Sequence, residues 1–417
     1  AQPAVPAQPA VPAQPAVPAQ QGPGGRPRPT AADLRRIYAD VLDRRDVTDD
    51  STFVQLGGDS LSYVEASVRL EEALGVLSPD WATTPVRDLA AASPSGSGRW
   101  LDLSVALRAV AIVLVVGSHA NVFTLLGGAH LLVAVAGHNV ARFSLRQSAR
   151  GERVRALLRS AARIAVPSIA VIAGAQWLTG QYGVANLALL NDLLGPDVLG
   201  PQWQFWFVEV LVHLLLALGA LLAVPAVHDL ERRWPFGAAM AVFGAGLLTR
   251  YGVVPLEPGP ESTQTAVGLV WLFALGWAGA QATTVGRRVV VTAAALVSVP
   301  GATGDPAREA LVLAGVLLLV WASRVPSPHV VRRLAGLLAS SSLYTYLTHW
   351  QVFPHLQDSY PLLALASSLA VGIACWSVAR RVPGWLAAAG RAAQSASAPA
   401  LLPAAPVPLS VPYPSRR

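Results

Sequence analysis

The chain has 417 residues, 53% of them hydrophobic and only 13% charged, with a net charge of +7 and a mean hydropathy of +0.46. Those proportions exclude an ordinary soluble globular protein and fit a membrane protein. The basic excess is not read as a nucleic-acid signature and no nucleic-acid partner is expected, because the arginines fall mainly between apolar stretches, where membrane proteins keep cytoplasmic positive charge.

Apart from histidine, every basic side chain is Arg; with so much Ala, Gly and Pro, this points to a GC-rich bacterial genome. The single cysteine, Cys375, rules out an intramolecular disulfide and a cysteine-built metal site, and no metal is expected.

Residues 1–29 repeat AQPAVP three times before a Gly/Pro/Arg run. A Pro/Ala hexapeptide without apolar periodicity is a semi-rigid linker. It begins without Met or a signal-peptide pattern, so an upstream module is expected before it.

Residues 30–93 read as a small helical bundle. Thr30 is placed to cap a helix with Leu34, Ile37, Tyr38, Val41 and Leu42 on one face. A second amphipathic helix starts at Ser60 after two glycines, and TTPVRDLAAA makes a short third. Ser60 is expected to stand exposed at a helix N-terminus, an end that favours phosphate. The run Leu56-Gly57-Gly58-Asp59-Ser60-Leu61, with Phe53 before it, resembles the attachment site of acyl or peptidyl carrier proteins. That resemblance implies 4'-phosphopantetheine on Ser60, a phosphopantetheinyl transferase to attach it, and an upstream ligase or adenylation module to load it. Residues 94–99 form a short flexible joint that keeps this domain at high effective concentration beside the next.

Residues 100–382 hold about ten apolar stretches, near 101–123, 125–141, 157–178, 204–226, 236–249, 265–282, 288–303, 309–322, 334–353 and 361–379. Arg clusters alternate with Arg-poor loops carrying Asp192, Asp197, Glu257, Glu261, Asp305 and Asp358. The pattern predicts about ten transmembrane helices in a bacterial cytoplasmic membrane, with both termini and the N-terminal bundle cytoplasmic. The fold class expected is therefore all-α, a small helical-bundle domain followed by a polytopic membrane domain. Residues 383–417 are Pro-rich and expected to be disordered.

The first stretch, LDLSVALRAVAIVLVVGSHANVF, buries two ionisable groups in apolar surroundings. Eleven residues at ~100° bring Arg108 and His119 onto one helix face, roughly 16 Å apart, and such groups inside a bilayer point to function. This stretch resembles the first helix of the acyltransferase type 3 family, which carries an Arg, ten residues and a His. SSSLYTYLTHWQVF at 340–353 is similar to that family's late helix, aligning Tyr344, His349 and Trp350. RSAARIAVP at 159–167 is similar to its basic segment, except that Arg159 and Arg163 are separated by three residues and Ser160 stands where a second Arg is expected.

The resemblance implies a membrane-bound acyltransferase. It would move an acyl group between the Ser60 thioester, or acyl-CoA, and a hydroxyl or amine small-molecule acceptor, in natural-product or cell-envelope modification. His119 suits a general base. Arg108, Arg159 and Arg163 suit the phosphate of the incoming arm or CoA. Glu209 either orients an imidazole or pairs with His213 one turn on. His349 shapes the site. Trp203, Trp206 and Trp350 fit an interfacial aromatic belt or a substrate wall. A carrier-coupled exporter is the competing reading; against it, the sequence has no inverted repeat or Gly/Pro-broken helix pair.

Overall fold

The computed structural model describes residues 29–75, 77–78, 80–92, 100–196, 200–254 and 263–381. The linker expected at 1–29, the joint at 94–99 and the tail at 383–417 fall outside them almost entirely, as do Asp197, Glu257 and Glu261. The chain separates into two compact units, Ala1–Ile373 and Ala374–Arg417. The architecture described below lies within the first, except the last residues of the final helix.

The N-terminal bundle has helices α1 (Ala31–Leu42), α2 (Ser60–Leu74) and α3 (Val86–Ala91). A capping box fixes the start of α1: Thr30 accepts from the Asp33 amide while Asp33 accepts from that of Thr30. The next helices are α4 (Leu103–His119), α5 (Gly128–Arg142), α6 (Arg150–Thr179), α7 (Val184–Ala188) and α8 (Asn191–Leu194). Then follow α9 (Trp206–Ala223), α10 (Pro225–Arg233), α11 (Pro235–Arg250), α12 (Ala266–Gln281), α13 (Val285–Ser298) and α14 (Pro306–Trp321). The last two are α15 (His329–Thr348) and α16 (Pro361–Ala379). Among the described residues the protein is all-α but for two three-residue strands, β1 (Trp100–Asp102) and β2 (Arg324–Pro326). These pair antiparallel, Leu101 opposite Val325, and bring the starts of α4 and α15 together.

Each of the ten apolar stretches folds as a helix. Among the described residues three are long and apolar enough to cross a bilayer, Arg150–Thr179, Pro201–Ala223 and Pro361–Ala379, while Leu103–His119 and Ala266–Gln281 are shorter apolar helices.

The core of the larger bundle is a continuous cluster from α4, α5, α6, α9, α12 and α14. Its tightest seam joins α5 to α12, where a Cβ on Gly137 would come within 1.9 Å of the Phe273 carbonyl and one on Gly276 within 1.9 Å of that of Ala134. Small residues there let two backbones meet, the usual device where lipid offers no hydrophobic drive between helices. The N-terminal bundle does not close its core alone. Phe53, Tyr63 and Trp81 share a cluster with Leu101, Val105, Phe143 and Ala335 of the larger bundle, and the rings of Tyr63 and Phe143 lie 4.8 Å apart.

Gly137→Val should therefore lower the thermal unfolding midpoint in detergent by the equivalent of about 3 kcal/mol, the upper end of ordinary overpacking. Gly174→Ala on α6, where a Cβ meets nothing within 4 Å, should leave the midpoint unchanged or raise it.

Candidate functional site

The site begins at the start of α2. Asp59 caps the helix through Oδ1, which accepts from the Ser62 amide at 2.9 Å, while Ser62 Oγ accepts in return from the Asp59 amide at 2.8 Å. Gly57 takes φ +80, and a Cβ on Gly58 would strike the Phe53 ring at 2.2 Å. Both glycines are therefore required by the turn that presents Ser60.

This turn is set against the larger bundle. Asp59 Oδ2 accepts from Arg163 at 2.9 Å and from Ser160 Oγ at 3.4 Å. Arg108 Nη1 donates to the Ser60 carbonyl at 3.0 Å and its Nε to Ser342 Oγ at 2.8 Å. Arg159 lies against Gly57, so that a Cβ there would come within 2.7 Å of Nη2. Ser60, expected exposed, is half-buried because these contacts cover it. Further along, Arg332 on α15 donates to Glu71 at 2.7 Å, Tyr63 donates to Asp102 at 3.2 Å, and Gln147 donates to the Val54 carbonyl. Arg159 and Arg163, read from sequence as phosphate contacts, hold the GGDS turn itself.

Burial works against the charge of Asp59, but Arg163 beside it and the hydrogen bonds from Ser62 hold its carboxyl below the ordinary carboxylate value.

From Asp59 and Ser60 a cavity runs into the larger bundle. Arg108, Asn139, Ser144, Ser160 and Ser342 stand at the Ser60 end; Leu132, Val135, Leu211 and Phe207 line the far part. Phe207 packs 5.2 Å from Tyr346, whose ring is 5.7 Å from His349. One aromatic layer thus separates the cavity's end from the histidines.

His119 and His349 meet at the far ends of α4 and α15, Nδ1 of the first 3.0 Å from Nε2 of the second, their rings within 7° of parallel. His349 Nδ1 lies 2.7 Å from the Tyr346 carbonyl. A carbonyl only accepts, so that nitrogen carries the proton and neutral His349 offers a lone pair at Nε2. His119 must then donate from Nδ1, which leaves its Nε2 with the free lone pair. Trp350 and Phe353 complete the surround, with ring centroids 4.7 and 6.0 Å from His119.

Three sequence expectations are corrected. Glu209 hydrogen-bonds to neither imidazole; it accepts from the Asp192 amide at 2.6 Å, because the loop at 189–194 folds back over α9, and His213, which stays within electrostatic reach of it, meets the Leu189 carbonyl at 2.8 Å. The tyrosine packed on His349 is Tyr346, not the motif-matched Tyr344, since two helical residues are ~200° apart. Half-buried Tyr344 contributes its carbonyl to Thr348 Oγ1. Trp203 is buried, donating to the Pro196 carbonyl at 3.0 Å, and does not join a surface belt. Tyr346 was missed although it stands three residues before His349, a spacing that shares a helix face.

The profile of the acyltransferase domain family matches residues 99–381, and that of the phosphopantetheine attachment site matches residues 32–95. The chain belongs to the acyltransferase type 3 family. It is a carrier domain fused to a membrane acyltransferase domain, and the attachment site implies a phosphopantetheinyl transferase as partner. Neither a curated protein nor a solved structure matches the chain. In these terms the carrier domain sits with its GGDS turn over the mouth of a cavity in the acyltransferase domain.

Arg163→Ala should leave a buried carboxylate without its cation, a loss of about 3–5 kcal/mol. Hydrogen exchange of α2 should then accelerate while α5 and α12 stay protected. In the wild type, docking should be full above the ordinary carboxylate range and weaken below about pH 4, as Asp59 protonates through its depressed value. Asp59→Asn should lose that dependence.

Proposed function

We propose that the protein is a membrane-bound acyltransferase in which the acyl group held at Ser60 passes to a hydroxyl or amine acceptor activated by His119. The observation that carries this reading is the cavity that starts at Ser60 and ends one aromatic layer from the histidine pair. The site fits phosphopantetheine. An arm of about 14 bonds reaches roughly 18 Å at backbone bond spacings, and the run along α4 from Arg108 to His119 is roughly 16 Å. When bound, the arm supplies an acyl thioester, a carbonyl open to attack.

The chain's own residues do the rest. Arg108 and Arg159 surround the serine with positive charge that suits its phosphate, and the N-terminus of α2 adds to it. Arg163 and Arg332 keep the carrier seated. His119 takes the acceptor's proton on Nε2 and releases it to the leaving group, while the His349–Tyr346 hydrogen bonds hold its ring and tautomer. Phe207 and Tyr346 exclude water until the arm arrives, and the Phe207 ring must turn aside for transfer. Glu209 shapes the far end through the Asp192 loop.

Acyl-CoA is a second donor only when the carrier has left the mouth it covers. The bilayer topology that suits this reading has about ten spans in the bacterial cytoplasmic membrane, with the carrier domain (30–93) on the cytoplasmic side and the membrane domain (100–382) running through it. An upstream ligase or adenylation module would load Ser60 there.

Intact-protein mass spectrometry tests the proposal. Protein in lipid nanodiscs is loaded by a phosphopantetheinyl transferase with an acyl-CoA and mixed with a membrane extract as acceptor source. Wild type should load and then lose its acyl group, and Ser60→Ala should never load. His119→Ala should load and discharge on the order of 10²–10⁴-fold more slowly, with His349→Phe slowed about 10–100-fold. Discharge of His119→Ala at the wild-type rate would overturn the assignment of the base.

A further inference from the structure

The cavity wall on α5 consists of Leu132, Val135, Ala136, Asn139 and Val140, spaced as one helix face. Four of them continue the apolar stripe; Asn139 interrupts it. The helix cannot rotate to bring Asn139 elsewhere, because Gly137, on a different face, is pressed against the α12 backbone. Asn139 is 4% exposed and its Oδ1 has no hydrogen-bond partner. Among the polar residues on the wall, Ser342 is engaged with Arg108, Ser160 with Asp59, and Arg108 with the Ser60 carbonyl. A buried carboxamide left unpaired costs stability that a leucine at the same place would not.

We infer that Asn139 is the residue that reads the phosphopantetheine arm, by pairing its carboxamide with an amide of the arm. The inference rests on the proposed reading of the cavity as the arm's channel. A carboxamide is self-complementary to a secondary amide, accepting its N–H and donating to its carbonyl. A hydrocarbon tail in the same cavity would leave Oδ1 as it is. The arm carries two amides, and one of them satisfies it once the carboxamide turns its oxygen to the cavity. Asn139 is therefore a positioning residue: it holds the arm, while the chemistry belongs to His119.

The test uses the full-length protein in nanodiscs with Cys375, the chain's single cysteine, replaced by Ser, and Ser60 loaded from coenzyme A. The one thiol then present is the arm's, and its rate of reaction with a maleimide reads how often the arm leaves the cavity. The wild type should label slowly, and Arg163→Ala should approach the rate of a free thiol. Asn139→Leu should label about fivefold faster than wild type, the factor of one ordinary hydrogen bond. The unloaded Asn139→Leu should unfold at or above the wild-type temperature. Asn139→Leu labelling at the wild-type rate overturns the Asn139 assignment and leaves the channel standing. Wild type and Arg163→Ala both labelling as free thiols overturns the channel, and the assignment with it. Asn139→Ala gives a second check through the rise in unfolding temperature on loading: a smaller rise than in wild type is expected, and an equal rise overturns the assignment.

Discussion

The carboxylate of Asp59 does two jobs with its two oxygens. Oδ1 starts α2 by capping Ser62, and Oδ2 receives Arg163 from α6. The helix that presents Ser60 and the surface that receives it are thus set by one side chain, 5% exposed. A buried carboxylate is tolerable only with its lone pairs met and a cation beside it, and here the two conditions are satisfied from different domains. Losing Arg163 would leave a buried charge at the very residue before Ser60, so the docked geometry is strongly specified there. The surrounding pairs add less. Arg333–Glu72 is exposed on both sides and worth little, whereas Arg332, 9% exposed, anchors the other end of α2.

Fixing the carrier at the starts of α4 and α15 has a consequence at their far ends. The antiparallel β1–β2 ribbon brings the starts of α4 and α15 together, and seventeen residues after Asp102 the last residue of α4, His119, meets His349, which follows the end of α15. The same pair of helices supplies Arg108 and Ser342 beside Ser60. One parallel packing therefore sets both the place where the arm would enter and the place where a proton would move. The tautomer follows from one backbone carbonyl, that of Tyr346, rather than from an acidic partner. His349 is thereby a neutral acceptor that orients His119 without bringing a buried anion, which would be expensive at this depth.

How much of this the sequence carried depends on the range of each interaction. LGGDSL, the Arg108–His119 spacing and the late histidine were legible because their meaning lies within a turn or a helix. The ten apolar stretches were legible as helices for the same reason. The partner of Glu209 was not, since its depth on α9 could be estimated but the return of the 189–194 loop could not. Tyr344 was favoured over Tyr346 by motif alignment, although the three-residue spacing to His349 favours Tyr346. Ser60 was placed in solvent because a carrier read alone has an open serine, and nothing local to GGDS announces Arg163, more than a hundred residues on. Asn139 left a readable trace, one polar residue in the stripe 132, 135, 136, 139, 140, but its meaning required the cavity.

The tether changes what such an interface has to achieve. With the carrier joined to the acyltransferase domain through residues 94–99, docking is intramolecular and its effective concentration is high without any new contact. A free carrier would need a large apolar interface to stay bound. Here two partly buried ion pairs, one inserted ring at Phe143 and the Ser60 carbonyl contact can hold it. The same economy leaves Ser60 half-buried and not sealed. The apolar contact between Phe143 and the Tyr63 and Phe53 rings then sets the cost of departure, since it exposes aromatic surface on both sides, while Arg163 and Asp59 set the register of return.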